Sequence, residues 1–452
     1  MGKIVIIGNG IAGVSVAREL RKKGAQDEVL IISGESDHHY SRTALMYIFM
    51  GHLKYEHTKP YEDRFWSENK IELKRGWVEK IDGQNQCLNL DNGEEITYSK
   101  LVLAVGSKSN KFGWPGQDLP GVQGLYNLQD LENIEKSSKG AKRAVIVGGG
   151  LIGVEMAEML LTRGIAVTFL IREKEFWDIV LPTEESRMIS KHIREHHVDL
   201  RLEEEMDRIE AGADGRAAKV ITKKGEEIDC QIVGLTAGVS PNTDRIKETE
   251  GLDIERGIMI NEYFETSLPN VWAVGDCAQF REPLPGRRPI EQVWYTGKMQ
   301  GKFLATNIAG EKRPYDPGVW WNSAKFFDIE YQTYGDVLAS LPDGQISFFW
   351  QSPTKHQCIR LNFMDDENKT IIGVNVFGIR HRHEVWEHWI SNKVSVKDVL
   401  ESLSTANFDP EFFKQNEADI LAEWNQQFPS HSVKLKSKKG LFGSLMKTLN
   451  VR

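Results

Sequence analysis

The sequence has little cysteine, no long apolar run and no excess of positive charge. Four cysteines stand at 87, 230, 277 and 358 in a chain of 452 residues. No pair has C-x-x-C or C-x4-C spacing, which argues against a redox-active disulfide and against a zinc ribbon; no metal site is expected. Cysteines this far apart suit a reducing, cytoplasmic compartment. No apolar run approaches the roughly 18 residues that a membrane-spanning helix needs. Lys and Arg number 57 against 65 Asp and Glu, a net charge of −8, which argues against nucleic acid as the main partner. The N-terminus opens directly into a strand, so no signal peptide is expected. An apolar content of 40% and a charged content of 27% fit a globular protein with a real core, and the length suggests about three domains.

What the chain does have is glycine at one spacing, twice. Lys3 to Ile7 reads as a buried parallel strand running into Gly8-Asn9-Gly10-Ile11-Ala12-Gly13. Val14, Val16, Ala17 and Leu20 follow at helical spacing, Gly24 stops the helix, and Val29 to Ile32 is a second strand. Gly8 makes the tight turn, Gly10 lets the backbone approach a pyrophosphate, and Gly13 lets helix and strand pack closely. The helix N-terminus offers free N–H groups to phosphate. Glu35 lies 22 residues past Gly13, where a carboxylate can accept from a ribose diol.

About 140 residues later the pattern returns. Arg143 to Val147 leads into Gly148-Gly149-Gly150-Leu151-Ile152-Gly153. Glu155, Ala157 and Leu160 lie on the helix, and Val167 to Ile171 is the next strand. Two complete fingerprints imply two dinucleotides on one chain. The second strand ends in Arg172-Glu173. An Arg there favours a 2′-phosphate and a Glu a free 2′-hydroxyl, so NADP and NAD stay open.

Other stretches place the remaining elements. Ser36 to Arg42 is polar and sits past a strand's carboxyl end, where Arg42 could reach a pyrophosphate or be a solvated loop residue. Asp91-Asn92-Gly93 and Lys224-Gly225 each read as hairpin turns. Lys100 to Ser107 is a buried strand, the Pro/Gly cluster from Pro115 to Gly124 a linker, and Gln231 to Thr236 a matching strand before Ala237-Gly238. Val271 to Ala278 is a strand capped by Gly275-Asp276, with Asp276 placed to accept from a polyol. Cys277 has no nearby His or second Cys and reads as a packed residue. A helix is expected from Glu291 to Ile308. Beyond Pro314 the pattern is an antiparallel sheet, with strands 329–334, 345–350, 357–363 and 370–377, then helices at 384–390, 396–403 and 412–424. Lys434, Lys436, Lys438 and Lys439 precede Leu441, Phe442, Leu445, Met446 and Leu449 on one helical face. This basic amphipathic tail could lie in a membrane interface or be a marginal, unanchored helix.

The two fingerprints, Tyr40-Ser41-Arg42, Leu103-Ala104-Val105-Gly106, Thr236 to Asn242 and Val274 to Ala278 together resemble the pyridine nucleotide–disulfide oxidoreductase superfamily, the flavoproteins with two dinucleotide-binding domains. Within it the chain resembles the ferredoxin-, rubredoxin- and nitrite-reductase-type NAD(P)H reductases. It lacks the redox disulfide, since no cysteine pair lies near 40–50.

The resemblance implies an α/β fold: two Rossmann-like domains, for FAD and NAD(P), plus an α+β C-terminal interface domain. The expected boundaries are 1–112 with 240–315 for FAD, 113–239 for NAD(P), 316–430 for the interface domain and 431–452 for the tail. By the same resemblance Gly8, Gly10, Ile11, Ala12 and Gly13 hold FAD. Glu35 takes its adenosine ribose, Arg42 its pyrophosphate and Asp276 its ribityl chain, and Val78, Ala104, Val105, Gly106, Gly275 and Gln292 also line the cofactors. Gly148, Gly150, Leu151, Ile152, Gly153, Arg172 and Gly238 would hold NAD(P)H, with Glu155 beside nicotinamide and flavin. Tyr47 stands where this branch usually carries a Lys near flavin N5; it can donate a hydrogen bond but brings no positive charge.

The implied activity is FAD-dependent oxidation of NAD(P)H, with electrons passed to an iron–sulfur or rubredoxin-type protein. The tail keeps open a membrane-surface NADH:quinone reductase of type II, at the inner membrane face. A flavin-regulated binding protein like apoptosis-inducing factor is the alternative of another class. A monomer or homodimer is expected.

Overall fold

The computed structural model describes residues 2–409, 411–412 and 415–436. The chain divides into two compact units, residues 1–177 with 189–317, and 178–188 with the chain from 318 onward.

The first unit holds two five-stranded parallel sheets. In one, the strand order is Val271–Ala273, Lys100–Leu103, Lys3–Ile7, Glu28–Ser33, Ile71–Arg75. In the other it is Asp199–Arg201, Ala166–Leu170, Arg143–Val147, Ile232–Leu235, Val122–Gln123. Parallel sheets carry helices on their faces, and these strands are accordingly apolar without alternation: Ile4 to Ile6 and Val145 to Ile146 are fully buried. The helices are α1 (Ile11–Lys22), α2 (Leu45–Phe49), α3 (Arg64–Glu68), α4 (Leu128–Ser137), α5 (Leu151–Thr162) and α7 (Trp294–Ile308), while α6 (Thr183–Glu195) begins in segment 178–188 of the second unit and ends in the first. A short antiparallel pair, Ser107–Ser109 with Val239–Pro241, is where the chain passes between the two sheet systems.

Both predicted hairpins form, as Cys87–Leu90 with Glu95–Thr97 and Ala217–Thr222 with Glu227–Asp229. The helix expected from Glu291 begins at Trp294 instead. Val293 keeps extended backbone (φ −131°, ψ 133°), and Glu291 is buried in an ion pair with Arg287. Glycine then decides how α7 packs: a Cβ on Gly301 would lie 2.4 Å from the Ala12 carbonyl oxygen and 2.8 Å from Ser15 Cβ on α1. The two helices touch through backbone there.

The second unit is an antiparallel sheet in the order Trp321–Phe326, Ile329–Gly335, Ile371–Phe377, Cys358–Met364, Gln345–Gln351. The edge strand Trp321–Phe326 escaped the sequence reading because Asn322, Ser323 and Lys325 break its apolar alternation. Helices His383–Ser391 and Val396–Glu401 match expectation, but the last one spans Glu417–Gln427, five residues later in its start than predicted. Segment 178–188 joins this unit through a buried ion pair. Arg360 donates to both Glu185 oxygens at 2.7 and 2.8 Å, to Glu184 at 2.7 Å and to Ser347 at 2.8 Å. The tail from 437 onward lies outside the described residues.

Gly301→Ala is expected to lower the unfolding free energy by about 1–3 kcal/mol, because overpacking against backbone has little room to relax. An earlier urea midpoint is the readout; an unchanged midpoint would contradict the α1–α7 contact.

Candidate functional site

The two glycine fingerprints fold alike, and each glycine has a distinct surrounding. Gly8 has φ +110°, and a Cβ on it would lie 2.1 Å from the Ala104 carbonyl oxygen. A Cβ on Gly13 would lie 2.2 Å from the Gly8 carbonyl oxygen, whereas one on Gly10 would meet nothing within 4 Å. The second loop repeats this. Gly148 (φ +111°) is crowded by Ala237 at 2.7 Å, Gly153 by the Gly148 carbonyl at 2.9 Å, and Gly150 has only the Thr236 carbonyl at 3.9 Å. The first and third glycines are required by the protein itself. The middle one faces open space at a helix N-terminus, the feature a pyrophosphate cradle needs.

Around the first loop the structure builds a polar network. Asn9 donates to the Ser36 carbonyl at 2.9 Å and its hydroxyl at 3.1 Å. His39 is buried, and its Nδ1–H donates to the Asn9 carbonyl at 2.8 Å. Burial pushes its pKa down to about 4, so it stays neutral.

Glu35 and Arg42, expected to take different parts of one nucleotide, pair with each other. Arg42 donates to Oε1 at 3.0 Å and to Oε2 at 2.7 Å. Tyr40 also donates to Glu35, and so does the Leu128 N–H, at 3.2 Å. Burial pushes the Glu35 pKa up, but Arg42 and these hydrogen bonds outweigh it and hold the carboxyl below its ordinary range.

Tyr126 links this cluster to Asp276. Its ring lies 4.6 Å from the Arg42 guanidinium, its carbonyl accepts from Arg42, and its hydroxyl donates to Asp276 at 3.2 Å and accepts from the Ser107 N–H at 2.9 Å. Burial and then Asp276 raise the Tyr126 phenol; burial likewise raises Asp276. Sequence reasoning missed Tyr126, which sits just past the Pro/Gly linker with no motif around it. Gln292 reaches the same neighbourhood, donating to Ser107 Oγ at 2.7 Å, and the Gly275 N–H donates to Gln300 at 2.8 Å. The Val78 side chain is buried in the core, so only its backbone could meet a ligand. Cys277 is a packed residue. It is fully buried, its thiol meets the Leu103 and Val274 carbonyls, and burial pushes its pKa up to about 12.

At the second loop, Thr236 Oγ1 donates to the Val147 and Gly148 carbonyls at 3.1 and 3.0 Å. Ala237 and Gly238 are tied to Asn110. Arg172 is exposed and donates to Glu173 at 2.7 Å, so the two residues expected to bear on the 2′ position pair with each other. Glu155 is half-buried on α5, and among the described residues it has no hydrogen bond or ion pair. Burial, and secondarily the like charge of Glu158, push its pKa up to about 7. The α2 helix bearing Tyr47 packs on α5. Arg163 fixes that contact, lying over the Phe49 ring at 3.4 Å and donating to the Phe49 carbonyl at 2.6 Å. The Tyr47 ring stacks near His52 at 6.2 Å, and no hydrogen bond joins Tyr47 to Glu155.

A family model described as pyridine nucleotide-disulphide oxidoreductase matches residues 2–301. The chain is 28% identical over 384 residues to a nitrite reductase (NAD(P)H) of Bacillus subtilis, covering 84% of this chain but only 46% of that protein. It is 31% identical over 321 residues to a rubredoxin-NAD(+) reductase of Acinetobacter baylyi, covering 69% of this chain and 79% of that one. The structure of a ferredoxin reductase from Rhodopseudomonas palustris superposes with a TM-score of 0.75 at 24% identity, covering 83% and 91% of the two chains, a likeness of fold.

Two outcomes follow from this geometry. Gly10→Val is expected to fold, since nothing crowds its side chain, yet to be isolated without bound flavin; a yellow variant would refute the cradle. Glu155 keeps its proton in the folded state up to about pH 7, well above an unfolded Glu, so its contribution falls as pH rises between those values. Glu155→Gln is therefore expected to stabilise the protein by about 1–3 kcal/mol at pH 8 and to change little at pH 4. Equal effects at both pH values in urea titrations would contradict the raised pKa.

Proposed function

The chain belongs to the pyridine nucleotide-disulphide oxidoreductase family, and on that footing we propose that it is an FAD-dependent NAD(P)H reductase of a small iron–sulfur or rubredoxin-type carrier protein. It is an oxidoreductase that uses flavin and NAD(P)H. The observation carrying the finer reading is the pair of glycine loops, each with a crowded first and third glycine and an open middle one. Two such cradles in one compact unit fit two dinucleotides, and the network from Glu35 through Arg42 and Tyr126 to Asp276 follows the first of them.

In this reading the FAD domain is 1–112 with 240–315, the NAD(P) domain 113–239, and the interface domain 316–430. Gly8 to Gly13, Glu35, Arg42, Ala104 to Gly106 and Gly275-Asp276 hold FAD. Gly148 to Gly153, Arg172 and Gly238 hold NAD(P)H. FAD held by these residues would supply the redox chemistry, hydride uptake from NAD(P)H and one-electron delivery to each of two oxidised carriers with one proton released. The chain's part is to bind, orient and exclude water. The α1 and α5 N-termini neutralise pyrophosphate charge. Glu155, half-buried and unpaired, can accept from the nicotinamide carboxamide when ionised and can hold a proton beside it below about pH 7. The buried, neutral His39 keeps the Asn9 peptide oriented at every working pH.

The carrier-protein acceptor is supported by the names of the relatives, a rubredoxin-NAD(+) reductase among them. The quinone alternative rests on the tail beyond residue 436, outside the described residues. No helix among the described residues is long and apolar enough to cross a membrane.

A steady-state panel of NADH and NADPH against ferredoxin, rubredoxin, menaquinone and oxygen tests the reading. Turnover with a carrier protein is expected above about one per second. Reduction of menaquinone or oxygen alone would move the acceptor to a small molecule, and slower turnover with every acceptor would remove the enzyme reading.

A further inference from the structure

The outer faces of α1 and α7 carry cations that the mechanism does not use. Arg18 and Lys22 stand one turn apart on α1. Lys298 and Lys302 stand one turn apart on α7, in line with Trp294. The backbone contact at Gly301 sets the two helices side by side. Lys22 and Lys302 are exposed, and Arg18, Lys298 and Trp294 half-buried. The four charges feel one another at Lys298, whose pKa is lowered by burial and then by Lys302, Arg18 and Lys22.

Carboxylates are scarce on this face. Lys22 has Glu19 at 3.6 Å, but among the described residues Arg18, Lys298 and Lys302 form no ion pair. Aromatic rings hold two of them instead: Arg18 lies 4.8 Å from the Tyr61 ring centroid and Lys298 lies 5.0 Å from that of Trp294. A chain of net charge −8 has gathered uncompensated positive charge in one place, which costs self-repulsion unless a partner of opposite sign meets it. The place is informative. The N-terminal end of α7 abuts the Gly275–Cys277 turn, and α1 begins at the Gly10 loop, so the patch flanks the proposed FAD site.

We propose that the α1–α7 face, with Arg18, Lys22, Lys298 and Lys302 around Trp294, is the docking surface for an acidic electron-carrier protein. This rests on the carrier-protein reading above and names the surface that reading requires. The cations steer and orient an acidic partner, acting mainly on association rate and salt dependence. Trp294 supplies the aromatic anchor of a small, transient interface. A partner seated here sits next to the electron donor, as transfer between proteins needs.

The test compares wild type with the triple variant Arg18→Glu, Lys298→Glu, Lys302→Glu, using an acidic plant-type ferredoxin and an acidic rubredoxin as carriers and menadione as a small neutral acceptor. The KM for the carriers is expected to rise about tenfold or more at low salt, and its dependence on salt to flatten or invert. Menadione reduction and flavin content are expected to stay unchanged, which certifies the fold. The neutral triple variant with Gln at the same positions is expected to fall between the two. Carriers reduced with the same KM by wild type and variants would overturn the docking face while leaving the acceptor reading intact. A wild type that reduces menadione but neither reduces nor binds either carrier would overturn both. Binding to phosphatidylserine vesicles, lost in the triple variant and accompanied by an unchanged carrier KM, would assign the face to a membrane surface instead.

Discussion

Close approach of backbone to backbone, at Gly13, Gly153 and Gly301, is the constraint from which the geometry of the nucleotide-binding unit follows. A methyl group at any of the three would stand under 3 Å from a carbonyl oxygen. Because the helix can come that near the strand, its first N–H groups end up facing the space past the strand's carboxyl end. The same economy of side chain lets α7 lie against α1 and brings its start to the Gly275–Asp276 turn. Two cradles and one helix contact thus share one requirement. The residues that speak to a ligand are positioned by residues that have no side chain at all.

Charge is arranged over that frame in two different ways. Along the first cradle it is paired: Glu35, Tyr40, Arg42, Tyr126 and Asp276 satisfy one another, and the carboxylate of Glu35 stays ionised despite burial because Arg42 and its hydrogen bonds outweigh desolvation. At the second cradle Glu155 is left alone, and burial dominates. The two carboxylates therefore sit on opposite sides of their ordinary pKa, set by surroundings rather than by residue type. Carboxylates perturbed in this way cluster at working sites, although a structural ion pair such as Glu35–Arg42 also shifts a pKa.

The frame was legible in the sequence because its signals are local. Strand, glycine loop, helix and second strand follow within 35 residues, and Asn92-Gly93 and Lys224-Gly225 announce their hairpins. What was not legible depends on distant partners. Glu35 and Arg42 each suit a ligand by position, and only the folded chain shows them bonded together. Tyr126 carries no motif; it matters because Arg42 and Asp276 come to it from 84 and 150 residues away. The start of α7 shifted from Glu291 to Trp294 because Arg287 captures that glutamate and the β-branched Val293 keeps extended backbone. The strand Trp321–Phe326 lacked alternation because it lies at a sheet edge.

The Arg360–Glu185 pair has a consequence for recombination. Glu185 is fully buried and Arg360 only 7% exposed, and a buried ion stripped of its partner costs several kcal/mol. A chimera that exchanged the C-terminal unit for a relative's by cutting once, near residue 317, would leave Glu185 facing whatever the donor carries in place of Arg360. The transferable module is discontinuous, the chain from 318 onward together with 178–188. Evolution by fusion or shuffling faces the same bookkeeping, so this eleven-residue insert is expected to change in step with a strand that lies some 175 residues further along the chain.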